Sequence, residues 1–230
     1  MPGAVRIRRF DPAAMPDNCT AMFIGKRRTG KTVLVTDILY NKRSLPVGVC
    51  MSGTEEGNGW FANYMPDSFI YSEFDVEVIE KMIERQKRLL AAAAANPAAK
   101  VDPRCFLIID DCMYAARDIA RSRAMRAIML NGRHWKLGPV MLTAQYLMSL
   151  SIDMRSQLDY VFVCREGSRD IRMKLWKQFG GIVPDFATWE AILDACTENY
   201  SCLVIDQTKT SNRIEDCLFH YKATLREAFR

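Results

Sequence analysis

Short apolar runs rich in β-branched residues alternate along the chain with segments of helical periodicity. The candidate strands are Thr20–Ile24, Val47–Ser52, Cys105–Ile109, Pro139–Thr143, Tyr160–Cys164 and Ser201–Ile205, with a further strand or hairpin within Ile214–Tyr221. The candidate helices are Lys31–Asn41, Asp75–Ala95, Arg117–Asn131, Arg169–Phe179 and Phe186–Cys196. This alternation predicts an α/β fold with a mainly parallel central sheet and helices on both faces.

Length and composition favour one large domain with short additions. The chain has 230 residues, of which 49% are hydrophobic and 26% charged, and this argues against disorder or a coiled-coil rod. We expect an N-terminal arm (residues 1–18), a domain (19–222) and a C-terminal tail (223–230). No apolar run reaches the ~20 residues that span a bilayer. The N-terminus has no apolar segment of the kind found in secretory signals, so we expect a soluble, intracellular protein with no membrane span.

The eight cysteines form no CxxC pair, and most of them lie within apolar runs. The two histidines, His134 and His220, are far apart in the sequence. This pattern predicts buried free thiols rather than a zinc site.

One segment fits the phosphate-binding pattern GxxxxGK[ST] at every fixed position. It reads Gly25-Lys26-Arg27-Arg28-Thr29-Gly30-Lys31-Thr32, and it lies between a candidate strand and a candidate helix, as the motif requires. Glycines let successive N–H groups curl around phosphate oxygens, and the helix N-terminus attracts the same anion. We therefore expect this loop to bind a nucleotide, with Lys31 reaching the β- and γ-phosphates and Thr32 ligating Mg²⁺.

A second apolar run, Cys105–Ile109, ends in Asp110 and Asp111. The end of a buried parallel strand delivers its side chains to the sheet edge where the phosphate loop lies. Asp110 is then the expected Mg²⁺ partner, acting through water, and Asp111 the general base for an attacking water. The alternative, in which the two acids only cap the next helix, is less favoured because the phosphate loop precedes them.

Further strands point to an ATP-dependent motor. The candidate strand Val47–Ser52, between the phosphate-loop helix and the aspartate strand, suggests the inserted strand of RecA-like P-loop NTPases, which small-molecule kinases and GTPases usually lack. The guanine-reading NKxD pattern is missing, because Asn41-Lys42-Arg43 is followed by Ser44, so ATP is preferred over GTP. Gln145 or Thr143, at the end of another strand, is expected to touch the γ-phosphate or orient the water.

Arginines supply further candidates. Arg133 lies on a Gly-containing turn that we expect beside the active edge of the sheet, where it suits a finger acting across a subunit boundary. Arg155 is the competing candidate, and an ordinary surface role is open for both.

Positive charge is concentrated in two blocks that flank the nucleotide site. Residues 1–31 carry seven Lys and Arg against two Asp, and residues 117–136 carry six against one. The blocks favour a polyanionic partner. Arg117, Arg121, Arg123 and Arg126 fall in the second block; they either contact phosphate backbones or form the solvated face of a helix, and the sequence slightly favours the solvated face.

In this order, GKRRTGKT, CFLIIDDC, NGRHW, VMLTAQY and MRSQLDYVFVCRE resemble the genome-packaging ATPases of large nucleocytoplasmic DNA viruses, the poxvirus-type branch of the HerA–FtsK superfamily. The resemblance covers about residues 18–205. It implies that Lys31 and Thr32 bind ATP and Mg²⁺, that Asp110 and Asp111 serve metal and water, that Gln145 is the sensor and that Arg133 is the finger.

The resemblance also implies a homo-oligomeric ring that translocates double-stranded DNA into a capsid, with capsid or vertex proteins as partners. It places the protein in the host cytoplasm or a viral factory, in association with the virion. Two alternatives remain: a nucleotide or small-metabolite kinase, whose arginine-rich helix would clamp acceptor phosphates, and an NTP-regulated assembly scaffold.

Overall fold

A computed structural model describes residues 6–98, 100–146 and 150–229. The strands in this part of the chain are β1 (Arg8–Arg9), β2 (Thr20–Ile24), β3 (Gly48–Ser52), β4 (Ile70–Tyr71), β5 (Cys105–Asp110), β6 (Leu137–Ala144), β7 (Tyr160–Val163), β8 (Ser201–Asp206) and β9 (Leu218–Lys222). The α-helices are α1 (Lys31–Asn41), α2 (Glu55–Asn58), α3 (Val76–Ala95), α4 (Ala116–Arg121), α5 (Arg123–Asn131), α6 (Ile152–Arg155), α7 (Arg169–Phe179), α8 (Phe186–Cys196) and α9 (Ile214–Cys217).

The described strands form one mixed sheet in the order β1-β9-β8-β7-β2-β6-β5-β3-β4. The strands from β7 to β4 in this order pair in parallel, and β8 runs antiparallel to both of its neighbours. The predicted α/β class, a P-loop NTPase fold with a mainly parallel sheet, is confirmed. Because β2, β5, β6 and β7 are parallel, the residues that follow them meet at one edge of the sheet.

The strand inserted between the phosphate-loop strand and the aspartate strand is β6, and the assignment of this place to Val47–Ser52 was wrong. In the sheet, β6 pairs with β2 on one side and with β5 on the other, whereas β3 lies beyond β5. Position along the chain does not fix position across a sheet, since the connections cross over. The inserted strand is therefore the one that Gln145 directly follows.

Alternate residues of each central strand face two separate cores. On β2, Met22 and Ile24 pack with α3, α5, α7 and α8, while Ala21 and Phe23 pack with α1 on the other face. Phe23 stacks on Phe162 of β7 with ring centroids 4.6 Å apart. Strands buried on both faces read as continuous apolar runs, which explains why the sequence pattern located them.

The helix predicted over Arg117–Asn131 is two helices, α4 and α5, separated at Ser122. Ser122 has extended backbone angles, and its hydroxyl oxygen accepts a hydrogen bond from the Met125 N–H at 3.1 Å. A serine that caps a helix in this way satisfies a free N–H group of the next helix and ends the previous one.

Both ends of the described chain pack onto the domain. Arg8–Arg9 forms β1 beside β9, and Phe10 is buried. Near the C-terminus, Arg226 Nε donates to Asp37 Oδ1 at 2.6 Å, and Asp37 is fully buried in α1. The division into arm, domain and tail stays a prediction.

All eight cysteines are free and buried, as expected. No helix in the described part of the chain combines the length and apolar character needed to cross a membrane.

Candidate nucleotide-binding site

The phosphate loop follows β2 and leads into α1. Gly25 is packed so closely that a Cβ there would lie 2.7 Å from Cys164 Cβ and 2.6 Å from Thr29 Oγ1. Gly30, the residue before α1, has a φ of +89°, which side chains disfavour. The two glycines thus let the loop fold tightly and aim the N–H groups of the first turn of α1 at the space above the sheet.

Lys31 is held inside this loop. The residue is 8% exposed, and its Nζ donates to the carbonyl oxygens of Gly25 at 2.8 Å and Lys26 at 3.0 Å. The ammonium is therefore placed where phosphate oxygens bound by the loop would meet a fixed positive charge.

Thr32 and Asp110 have the chemistry of a Mg²⁺ site. The Thr32 hydroxyl donates to Asp110 Oδ2 at 3.0 Å, so side chains from α1 and β5 meet directly. Asp110 is 1% exposed, and its Oδ1 is buried with no hydrogen-bond partner among the described residues. Burial raises the pKa of Asp110, and the nearby hydroxyls of Thr143 and Thr32 oppose that rise. An unpaired buried oxygen beside a threonine hydroxyl fits a hard cation, whose charge would favour the ionised carboxylate.

Asp111 lies beside them on a strained backbone. Its φ is +50°, its N–H donates to Thr143 Oγ1 at 2.9 Å, and its Oδ1 accepts from Gln145 Nε2 at 3.4 Å. Thr143 at the end of β6 thus holds the backbone of Asp111, and Gln145, the next residue after β6, holds its carboxylate. The sequence offered both residues as candidates for the sensor. Positive φ values in residues other than glycine are concentrated at functional sites.

The groups enclose a cavity of about 380 Å³. The phosphate loop and the first turn of α1 form one wall, the two aspartates form the floor, and Thr54 and Asn58 from the segment after β3 form the other wall. The structure therefore brings together Lys31, Thr32, Asp110 and Asp111 as the sequence predicted, with Gln145 bonded to Asp111.

Arg133 is not beside this edge, and that expectation was wrong. It precedes β6, and it lines a separate cavity with Thr20 and Leu137, the first residues of two parallel strands. β6 has eight residues, about 25 Å at roughly 3.3 Å per residue, so Arg133 lies at the far end of the strands from its own phosphate loop.

The competing candidate, Arg155, is buried on α6 with 6% exposure. A buried arginine is not presented to a neighbouring subunit, whereas Arg133 is exposed.

Sequence reasoning missed Glu166, which follows β7 at the active edge. It is 3% exposed, and its Oε1 lies 3.0 Å from Lys26 Nζ of the phosphate loop. The signal was similar to the one that located Asp110, because Glu166 comes three residues after a buried parallel strand. The wall residues Thr54 and Asn58 were also missed, and only the fold brings them to the cavity.

The arginines of α4 and α5 differ in whether they form an ion pair. Among the described residues, Arg117, Arg121 and Arg123 are exposed without an ion-pair partner, whereas Arg126 pairs with Asp153 at 3.0 Å. Three unneutralised guanidinium groups on neighbouring helices form a positive surface.

The chain is similar in sequence to several viral proteins. Protein 088R of Invertebrate iridescent virus 3 is 38% identical over 201 residues, which span 87% of this chain and 74% of that protein. Protein L437 of Acanthamoeba polyphaga mimivirus is 31% identical over 219 residues, 94% of this chain and 77% of that protein. No family model matches the chain.

Solved structures share the fold at lower identity. The genome packaging NTPase B204 from Sulfolobus turreted icosahedral virus 2, solved with ATP-gammaS, has a TM-score of 0.60 and 14% identity and covers 93% of this chain and 99% of that chain. The cytoplasmic domain of the Type VII secretion ATPase EccC from Thermomonospora curvata has a TM-score of 0.57 and 16% identity over 90% of this chain and 25% of that chain. These likenesses show that the chain shares the fold of the two ATPases.

Proposed function

The chain belongs to the viral protein family that includes proteins 088R and L437, and we propose that it is an ATP-hydrolysing motor that moves double-stranded viral DNA into a capsid. One observation carries the ATPase part of this proposal. The phosphate loop, the Thr32–Asp110 contact and Asp111 line a single cavity at the edge of a P-loop NTPase sheet, and Gln145 bonds to Asp111. B204, which shares the fold over almost its whole length, is a genome packaging NTPase solved with an ATP analogue.

The residues divide the work of hydrolysis between binding and proton transfer. The loop N–H groups and Lys31 hold the phosphates. Thr32 and Asp110 would hold Mg²⁺, which would supply positive charge to the phosphates there. Asp111 accepts the proton of the attacking water, and Gln145 fixes the orientation of its carboxylate through the bond between Nε2 and Oδ1.

In a ring of identical subunits, Arg133 would act on the nucleotide of a neighbouring subunit. The residue is exposed at the end of the sheet opposite its own phosphate loop, so it is available only to a phosphate held by a neighbouring subunit. An arginine supplied in trans stabilises the charge of the transferring phosphoryl group. This placement supports Arg133 over the buried Arg155.

Double-stranded DNA is the proposed cargo, and the positive surface of α4 and α5 supports it. Unpaired arginines bind phosphate backbones and make the affinity depend on salt. Capsid or vertex proteins are the further partners proposed, with assembly in the host cytoplasm or a viral factory.

ATP turnover with and without long double-stranded DNA tests the proposal. We expect turnover to rise several-fold with DNA at low salt, to lose that stimulation as salt increases, and to rise more steeply than in proportion to protein concentration, since the site is shared between subunits. A Lys31→Ala preparation is the control for contaminating ATPase. Turnover that is indifferent to both DNA and concentration contradicts the motor. Phosphate transfer to a nucleoside monophosphate would instead establish the kinase alternative, and nucleotide binding without any turnover the scaffold.

A further inference from the structure

Glu166 is a buried carboxylate that contacts the phosphate loop from the neighbouring strand. It lies three residues beyond β7, which pairs with β2. Oε1 lies 3.0 Å from Lys26 Nζ and accepts the Ser168 N–H at 2.7 Å. Lys26 is the cation paired with this acid among the described residues, and the Lys26 side chain itself is half exposed. A carboxylate withdrawn from water in this way needs both contacts to offset the loss of hydration.

Lys26 is also the residue on which the loop's internal hydrogen bonds converge. Its carbonyl oxygen accepts from Lys31 Nζ at 3.0 Å and from the Thr29 hydroxyl at 2.7 Å. Phosphate oxygens compete for the same Lys31 protons, so nucleotide binding changes the bonds made at Lys26. The side chain of Lys26 connects that change to Glu166.

From Glu166 the contacts continue into two helices. Its side chain holds the N–H of Ser168, the residue before α7, and its carbonyl oxygen accepts from Arg172 Nε on α7 at 2.5 Å. Arg172 Nη2 in turn donates to Asp194 Oδ1 on α8 at 2.8 Å. One buried acid thus joins the phosphate loop to the α7–α8 pair on the opposite face of the sheet from α1.

We propose that Glu166 is a positioning residue that holds the phosphate loop in its binding shape through Lys26 and passes the nucleotide state of the loop to α7 and α8. The inference rests on the proposed function, because it needs a loop that binds nucleotide. It adds a route by which the motor's ATP cycle reaches α7 and α8, neither of which lines the nucleotide cavity.

The direction in which one substitution changes ATP affinity distinguishes a positioning role from a purely electrostatic one. Glu166→Gln keeps an oxygen for the Ser168 N–H but removes the negative charge near the phosphates. If the acid acted only through its charge, ATP would bind more tightly in this variant, because a like charge has been removed. If it positions the loop, binding weakens by about tenfold, since the bond to Lys26 loses its charge and the loop its anchor.

The experiment measures equilibrium binding of a fluorescent ATP analogue to the full chain and to four variants. Glu166→Gln and Lys26→Met are each expected to weaken binding, and the double variant to bind no worse than the weaker single variant, because both remove one interaction. Glu190→Gln is the matched control. It breaks the Arg169–Glu190 pair at 3.4 Å, which joins the same two helices without reaching the loop, and it should leave affinity unchanged.

Hydrogen exchange at the start of α7 is the second readout. The analogue is expected to alter exchange there in the unsubstituted chain and in Glu190→Gln, and to leave it unaltered in Glu166→Gln. Unchanged or tighter binding by Glu166→Gln, or additive losses in the double variant, overturns the inference while the proposed function stands. No binding by the unsubstituted chain overturns both.

Discussion

Replacing Lys31 with alanine is expected to abolish measurable ATP binding, with a loss of about a hundredfold or more, because the phosphates lose a charge-assisted contact from a pre-positioned ammonium. The residue is 8% exposed and its Nζ is already held at two loop carbonyls, so little ordering is needed when phosphate arrives. Titration with a fluorescent ATP analogue measures the effect.

Lys81→Ala is the control for this experiment. Lys81 is an exposed lysine on α3, and its ion-pair partner among the described residues is Glu77, at 3.7 Å. We expect its affinity and its thermal unfolding to match those of the unsubstituted chain. Undiminished ATP binding by a folded Lys31→Ala variant would contradict the assignment of Gly25–Thr32 as a phosphate loop.

Asp111→Asn is expected to keep ATP binding and to lose hydrolysis by about 10²–10⁴-fold, because an amide does not accept the proton of the attacking water. Asparagine tolerates the φ of +50° at this position as well as aspartate does, so the backbone of the site is expected to survive the change. Turnover and analogue affinity, measured on the same preparation, separate the two steps.

The control for this variant is Glu80→Gln, which removes an exposed carboxylate from α3. It should leave both turnover and affinity unchanged. Retained turnover in Asp111→Asn would show that another group accepts the proton, and the base assignment would then be wrong.

The parts of the site that the sequence predicted are those fixed by local order. A phosphate loop lies within eight consecutive residues, Gly25–Thr32, and an acidic pair directly after a buried strand marks the sheet edge. The pattern also located the central strands, because strands covered on both faces are continuously apolar. The edge strands β1 and β4 were missed, since each has only two residues and β1 is exposed.

The predictions that were wrong concern features that depend on contacts between distant segments or on strand direction. In the sheet, β6 rather than β3 lies between β2 and β5. This order is set by the crossover connections, and nothing in the sequences of β3 and β6 indicates it. The position of Arg133 was within reach of the sequence, because a residue that precedes a parallel strand lies at the opposite edge from one that follows it. Applied to β7, the same rule would have found Glu166. The break at Ser122 was not signalled by any glycine or proline.

The most direct test of the central claim is displacement of a third strand from double-stranded DNA. A triplex-forming oligonucleotide bound ahead of a moving protein is removed only if the protein travels along the duplex. We expect displacement that requires ATP and is lost in Lys31→Ala and Asp111→Asn. Steady ATP hydrolysis on the same DNA while the third strand stays bound would contradict a translocating motor.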